Sequence, residues 1–573
     1  MKKMKKTILT LLAVAFATSF AISQKVEDGI KFIYYQRNKS AIETLKKVVA
    51  ANPKDPVAIY WLGQAYLSDY RGSEGKNYLD SAKQVYQNAL NGGINDPWIW
   101  VGMGHVQILE NNDVNSAKQK FEQAITATKG KGRKGTNNPD ILNAIGRAMA
   151  DGSSAQGDPQ YGIDKLKEAA ELDKTNPDID INLGICYLKQ GSEKGGAAVE
   201  AFTDATRRNP QYAEAYFRIG RIYESQNNTE FMNQWFGKAI AADPNYAPVY
   251  LEYFNYYADK DVNVAKEYLD KFVAHADQDC ATDYFVADYL YRAGKYQESL
   301  DKAKAMENGA CKDYARVNVL YAYDYNKLGD STAAYNAIQK YFASDPDTSN
   351  VDPRDYVIAG TVAAKVGQTD SAVAYYQKAY NADTVQKNKS VYIDSISNMY
   401  KREKKYAERL EWVKKSYALQ KEPSNRDMYD FGEASYMAGD YKLADSVFTL
   451  YEQKFPDQIY GYLWKFKTAQ AADTSMESGI IVQPSMDYLN FLKQDSTKYK
   501  TQLIQVNGTL AGYYANVKKD KDSAIYYLKQ ILVYDPTNPD AQKYIDILQK
   551  ASEKQPADNK SSGTKPKSKP GTK

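Results

Sequence analysis

Five times in this chain a small residue is followed twelve positions on by another small or apolar residue, and twelve further on by proline. The sets are Gly29–Ala41–Pro53, Gly220–Met232–Pro244, Ala322–Ala334–Pro346, Gly432–Ala444–Pro456 and Gly512–Ala524–Pro536, and Gly360–Ala372 repeats the pattern with Thr384 in the proline place. A bulky residue stands four past each second anchor: Leu45, Phe236, Ile338, Tyr376, Phe448 and Leu528. A fixed register of this kind implies stacked supersecondary units, each contacting its neighbours, rather than one globular core.

Each unit reads as helix, turn, helix. In the sixth, Tyr216, Ile219, Gly220 and Tyr223 share one helical face by their spacing. The small residue lets the two helices approach closely. Asn227 and Asn228 break the pattern, and in other units Gly294, Gly329, Gly367 or Gly439 does so, as a left-handed helix cap requires. The proline cannot continue the second helix. Tyrosine, at 50 residues against 17 phenylalanines, falls at core spacing, which assigns it to packing with hydroxyls at the edges.

Segments such as AYFRIGRIYESQ, WFGKAIAADPN, YWLGQAYL, INLGICYL and YDFGEASYMAGDYKLADSVFTLYEQKFPD carry a resemblance to the tetratricopeptide repeat family. It runs from about Gly29 to about Lys550, over about fourteen units that fade near 247–275 and 385–420. The resemblance implies an all-α solenoid, a right-handed superhelix filling 24–551. Met232 and Arg409 replace small second-helix anchors and Phe254 a first-helix one, so looser packing is expected there.

In this family the first helices line the inner surface at the second, fifth, ninth, twelfth and thirteenth places of each unit. Those places imply a groove of Tyr60, Gln64, His105, Asn143 and Arg147, then Phe217, Arg221, Glu224 and Asn255. It continues through Tyr284, Asp288, Tyr291, Tyr323 and Asn326 to Tyr429, Glu433 and Tyr436. Aromatic area beside polar heads suits peptide or sugar recognition. The family's chaperone-tail binders pair a lysine at place five with an asparagine at place nine; no unit here does, since Asn255 follows Leu251, which argues against acidic tails as ligands.

The ends differ from the body. Four lysines among residues 2–6 precede an apolar run from Ile8 to Ile22, and Ala21-Ile22-Ser23 offers a cleavage site. Residues 1–23 therefore read as a secretory signal peptide, leaving no transmembrane segment in the mature chain. Residues 552–573 are rich in Pro, Ser and Lys and read as a disordered basic tail that could touch an anionic surface. The total charge is +4; removing +4 for the leader and +4 for the tail leaves a body of −4, which argues against a nucleic-acid partner.

Chemistry-bearing residues are few. Cys186 reads as a small buried hydrophobe. Cys280 and Cys311 hold matching places in consecutive units; an oxidising compartment permits a disulfide, but equivalent points on stacked repeats can stand too far apart, so the pairing stays open. His105 reads as a polar contact. His275, Asp277, Asp279 and Cys280 match no zinc pattern and read as a solvated loop. Gly130, Gly132 and Gly135 spell a dinucleotide motif, but a helix precedes them, so they read as a basic loop. Inserts at 68–81, 151–161 and 473–484 serve binding or are tolerated decoration.

The expectation is a non-enzymatic periplasmic scaffold for protein or peptide partners, without cofactor, metal or catalytic residues. It is associated with the outer membrane or accessory to a secretion or assembly machine there. The alternative is a soluble peptide or glycan binder of the envelope.

Overall fold

The computed structural model describes residues 25–68, 78–130, 135–344 and 351–553. The leader, the tail beyond Glu553, most of the first insert and the loop around Gly132 lie outside the described residues. Among those described there are twenty-nine α-helices and no strand: fourteen helix pairs, then a lone final helix, Pro539–Glu553. The pairs form an α-solenoid in two compact units, one ending at Val351 and one beginning at Asp352. Repeats are numbered here by helix pair, one to nine in the first unit and ten to fourteen in the second.

Local chemistry sets the helix boundaries. Pro56, Pro97, Pro139 and Pro177 begin helices whose preceding Asp55, Asp96, Asn138 and Asn176 accept hydrogen bonds from first-turn amides. Gly294, Gly329, Gly367 and Gly439 turn out of first helices at φ 76°, 92°, 79° and 81°, where glycine is unstrained; Asn227, a residue type that tolerates the left-handed region, does the same at 57°. The second helices end just short of the proline, at Ala51, Ala242, Lys454 and Tyr534.

Within a pair, the bulky residue of the second helix covers the small residue of the first. A Cβ on Gly220 would lie 2.4 Å from Phe236, one on Gly432 2.5 Å from Phe448, and one on Gly29 2.3 Å from Leu45. Gly104 under Phe121 and Gly184 under Phe202 repeat the fit. Each ring is fully buried, worth about 2–3 kcal/mol.

Repeat fourteen departs from the register: nothing lies within 4 Å of a Cβ on Gly512. The π turn Tyr514–Lys518 inserts an extra residue before the second helix, so buried Ala511 takes the crossing place against Leu528 and Ile531. The looser packing expected at the departures is also corrected. Met232 and Phe254 are fully buried, and Arg409 is buried against Glu433 at 2.7 Å.

Repeat one packs on more than its neighbour. Its second helix, Asn38–Ala51, has no side-chain cap of its own. Asp277, in the loop before repeat eight, supplies one: its carboxylate accepts from the Ser40 amide at 2.9 Å and from Arg37 Nε at 3.0 Å. Lys39 donates to the Gln278 carbonyl at 3.2 Å. The reverse also holds. The helix Ala213–Ser225 lacks a side-chain cap, and the Tyr34 hydroxyl accepts from the Ala213 amide at 3.0 Å. Tyr34 lies against Tyr212 and Tyr246, with ring centroids 4.9 and 5.2 Å away, and Tyr35 donates to Asp243 at 2.8 Å. Two helices that lack caps are thus capped across the same closure.

The loop holding Asp277 is itself stapled. Cys280 and Cys311 form a disulfide with Cα atoms 5.5 Å apart, closing the pairing left open by sequence. The solvated-loop reading of this cluster is corrected. Asp277 is buried in the closure, Asp279 caps its helix through the Thr282 amide, and Cys280 is bridged.

Candidate functional site

The first helices of repeats one to six surround a cavity of about 930 Å³ inside the first unit. Its walls come from fixed places along those helices. The second residue contributes Trp98, Asp140, Asp178 and Glu214; the sixth contributes Trp61, Asn182 and Arg218; the fifth and ninth contribute Asn143 and Arg147. Repeat one adds Glu27, Ile30, Lys31 and Tyr34.

A hydrogen-bonded row organises the floor. Asn182 donates to Asn143 at 2.9 Å and to Asp178 at 3.1 Å, and Asn143 donates to Asp178 at 2.8 Å. Arg147 pairs with Asp178, reaches the Tyr60 hydroxyl at 3.3 Å and lies over the Trp61 ring, 4.6 Å from its centroid. Burial pulls the Arg147 pKa down, but the Asp178 carboxylate and Tyr60 hydroxyl overcome it, so the guanidinium is held charged. Arg218 is tied to Glu214 at 2.7 Å. The carboxyl of Asp140 is raised by partial burial and by the nearby Asp173 carboxylate. The site offers rings for area, and fixed amides and charges for direction.

The sequence-derived groove divides in two. Asn143 and Arg147 line the cavity. Tyr60, Gln64, His105, Phe217 and Tyr284 are buried in helix packing and are corrected to core positions. Tyr60 lies tilted against Trp98, Gln64 bonds the Tyr86 hydroxyl at 3.1 Å, Phe217 stacks on Phe236, and Tyr284 packs against Tyr314. His105 meets Asp151 at 3.0 Å, the polar contact expected of it. Burial pushes the Asp151 carboxyl up, but that contact and the Gly152 amide hold it below its ordinary value.

The remainder lie outside the cavity. Arg221 pairs with Glu224 at 3.1 Å and with Glu252. Asp288 holds Arg292 at 2.7 Å, and Glu433 holds Lys401 at 3.0 Å. Tyr291 contacts Tyr323, and Tyr429 and Tyr436 contact Trp464. Asn255 is exposed and Asn326 half-buried. The insert after repeat four's first helix is a brace: Gln156 donates to the Leu109 carbonyl at 3.0 Å and Asn112 to the Ala155 carbonyl at 3.1 Å.

The residues missed were Trp98, Asp140, Asp178 and Glu214 at the second place, which the family's inner-surface rule includes, and Trp61, Asn182 and Arg218 at the sixth, which it does not. Asp140 and Asp178 directly follow a helix-starting proline, where an acid ordinarily offsets the helix dipole. The available signal was recurrence, an acid at that place in repeats four, five and six. Among the described residues no cluster could hold a metal ion, and no helix is long and apolar enough to cross a membrane.

The family description "Tetratricopeptide repeat" matches residues 192–247. A mouse protein, "Interferon-induced protein with tetratricopeptide repeats 3", is 23% identical over 195 residues, 34% of this chain and 46% of that protein, so the chain spans about half of this curated relative. Among solved structures, the C-terminal part of a repeat-containing protein from Cytophaga hutchinsonii is 25% identical, covering 45% of this chain and 98% of that one, with TM-score 0.31. The Cut9–Hcn1 hetero-tetramer of APC/C is 13% identical over 91% and 95% of the two chains, with TM-score 0.32. YrrB, described as a repeat protein with an unusual peptide-binding site, is 24% identical over 36% and 94%, with TM-score 0.21.

Proposed function

We propose that this chain, an α-solenoid whose residues 192–247 match the tetratricopeptide repeat, a class that generally serves as protein-interaction scaffolds, holds an extended peptide segment of a protein partner in the cavity of its first unit. The carrying observation is the cavity itself: about 930 Å³, with rings, amides and charges converging from consecutive repeats. The buried Asn143–Asn182–Asp178 row fixes the floor and holds Arg147 in place, and Trp61, Trp98 and Tyr212 offer faces to side chains. The role is binding without catalysis.

We place this activity in the cell envelope, after export through the leader at 1–23, as an accessory of an outer-membrane secretion or assembly machine. The Cys280–Cys311 bridge supports an oxidising compartment. Amino-terminal sequencing of the envelope protein is expected to begin at or near Gln24; an intact Met1 there defeats the export reading.

Binding is tested by capture from an envelope extract with the parent chain and with Asp140→Lys plus Trp98→Ala. The pair is expected to lose the retained proteins with an unchanged helical signal. Equal retention refutes the cavity as the site. Retention of glycan instead of protein transfers it to sugars, which the same rings and amides suit.

A further inference from the structure

We propose that repeat one is a latch: its docking on repeats six to eight gates the cavity, and its release opens it to large ligands. The hairpin 26–51 belongs to both structures at once. Its first helix is a cavity wall through Ile30, Lys31 and Tyr34. The turn and helix start beyond carry the closure, through Tyr34, Tyr35, Arg37 and Ser40. Undocking the hairpin therefore moves the wall.

The chemistry suits reversible docking. The closure joins the ring contacts of Tyr34 with Tyr212 and Tyr246 to a set of polar links: the capping bonds of Asp277 and Tyr34, the Tyr35–Asp243 bond and one ion pair. The Arg37 side chain of that pair is 35% exposed, so salt and water reach it. Along the stack repeat one has one neighbour instead of two, so once the closure opens only repeat two holds it, which puts it at the low-stability end of a solenoid. Asp277 faces it from a loop anchored by the Cys280–Cys311 bridge, so one side of the closure is firm while the other is a hairpin end.

The test uses the full chain with Ile185→Cys, a cavity-lining position, and needs no natural ligand. A bulky fluorescein maleimide and small N-ethylmaleimide report how open the cavity is. Hydrogen exchange over 26–51 reports whether the hairpin is docked. Asp277→Lys replaces the capping acid with a repelling charge; Tyr34→Phe removes the hydroxyl and keeps the ring.

In Asp277→Lys, exchange over 26–51 and bulky-reagent labelling at 185 are each expected to rise about tenfold or more. The small reagent is expected to change far less, and helices 139–208 to keep their protection. Tyr34→Phe is expected to move in the same direction by a smaller factor. If Asp277→Lys unfolds the unit, seen as lost protection over 139–208, Tyr34→Phe decides alone. Faster exchange without faster bulky labelling overturns the gate; unchanged exchange in both variants overturns the latch. Because the probes are maleimides, neither result depends on peptide binding, which is judged separately by capture.

Discussion

In the unit ending at Val351, hydrogen bonds join residues 179 to 240 positions apart, from Ala213 with Tyr34 to Asp277 with Arg37. In the unit beginning at Asp352 the widest one described spans 41, from Tyr527 to Met486. Both are built from the same helix pairs with a bulky side chain over a small residue. The difference teaches that the repeat register alone gives nearest-neighbour coupling, and that long-range coupling comes from a few polar side chains outside it.

The largest effect tests that contrast directly. Gly220→Trp and Gly432→Trp each drive a side chain into a buried phenylalanine, at a cost of about 3 kcal/mol or more. By hydrogen exchange, Gly432→Trp is expected to loosen repeats eleven to thirteen and spare repeat ten. Gly220→Trp is expected to loosen repeats five to seven and also the distant hairpin 26–51. Equal spread in both units breaks the comparison.

Next is Cys280→Ser. The bridge spans 31 residues, worth about 3–4 kcal/mol by loop closure. Urea unfolding is expected to show an earlier transition for the first unit and an unchanged one for the second.

Asp324 sharpens the comparison through pH. It is fully buried in the first unit, with Ser299 on one oxygen and no partner on Oδ1. Burial, with the nearby Asp288 carboxylate, pushes it from 3.8 up to about 7, against the Ser299 bond. The folded state thus binds a proton between about pH 4 and 7 that the unfolded chain has released, so this group's contribution falls as pH rises through that window. Asp324→Asn is expected to stabilise the first unit by about 1–3 kcal/mol at pH 8 and to have little effect at pH 4. A gain that is the same at both values refutes the assignment.

The smallest effect contrasts two glycines of the second unit. Gly512→Ala meets open space within a helix and is expected to stabilise by about 0.5–1 kcal/mol, whereas Gly432→Ala destabilises. A loss at Gly512 returns it to the crossing place that the twelve-residue register assigned it.

The repeat was legible because close packing writes itself at fixed spacing, as in Gly220 under Phe236 and Asn227 at the turn. The cavity was half legible. Places five and nine yielded Asn143 and Arg147, yet the same rule selected Tyr60 and Phe217, whose rings turn into the core. A place in a repeat fixes a direction only to within a side chain's reach, and a large ring finds the apolar side. The closure was not legible. Asp277 and Arg37 are one pair among many acids and bases, and a contact across 240 residues leaves no periodic trace.

Those reciprocal caps also order events in time. Contacts within a repeat close over some thirty residues, while the Arg37–Asp277 contact must close over 240. Each doubling of a loop adds roughly 0.6 kcal/mol of closure entropy, so the three doublings between them add roughly 2 kcal/mol. The helix pairs nucleate locally and early, and the hairpin 26–51, the first repeat to be synthesised, docks only once repeat eight has formed. The amino-terminal repeat is therefore the last part of its unit to reach its native contacts, and the slowest folding phase of the first unit belongs to its oldest residues.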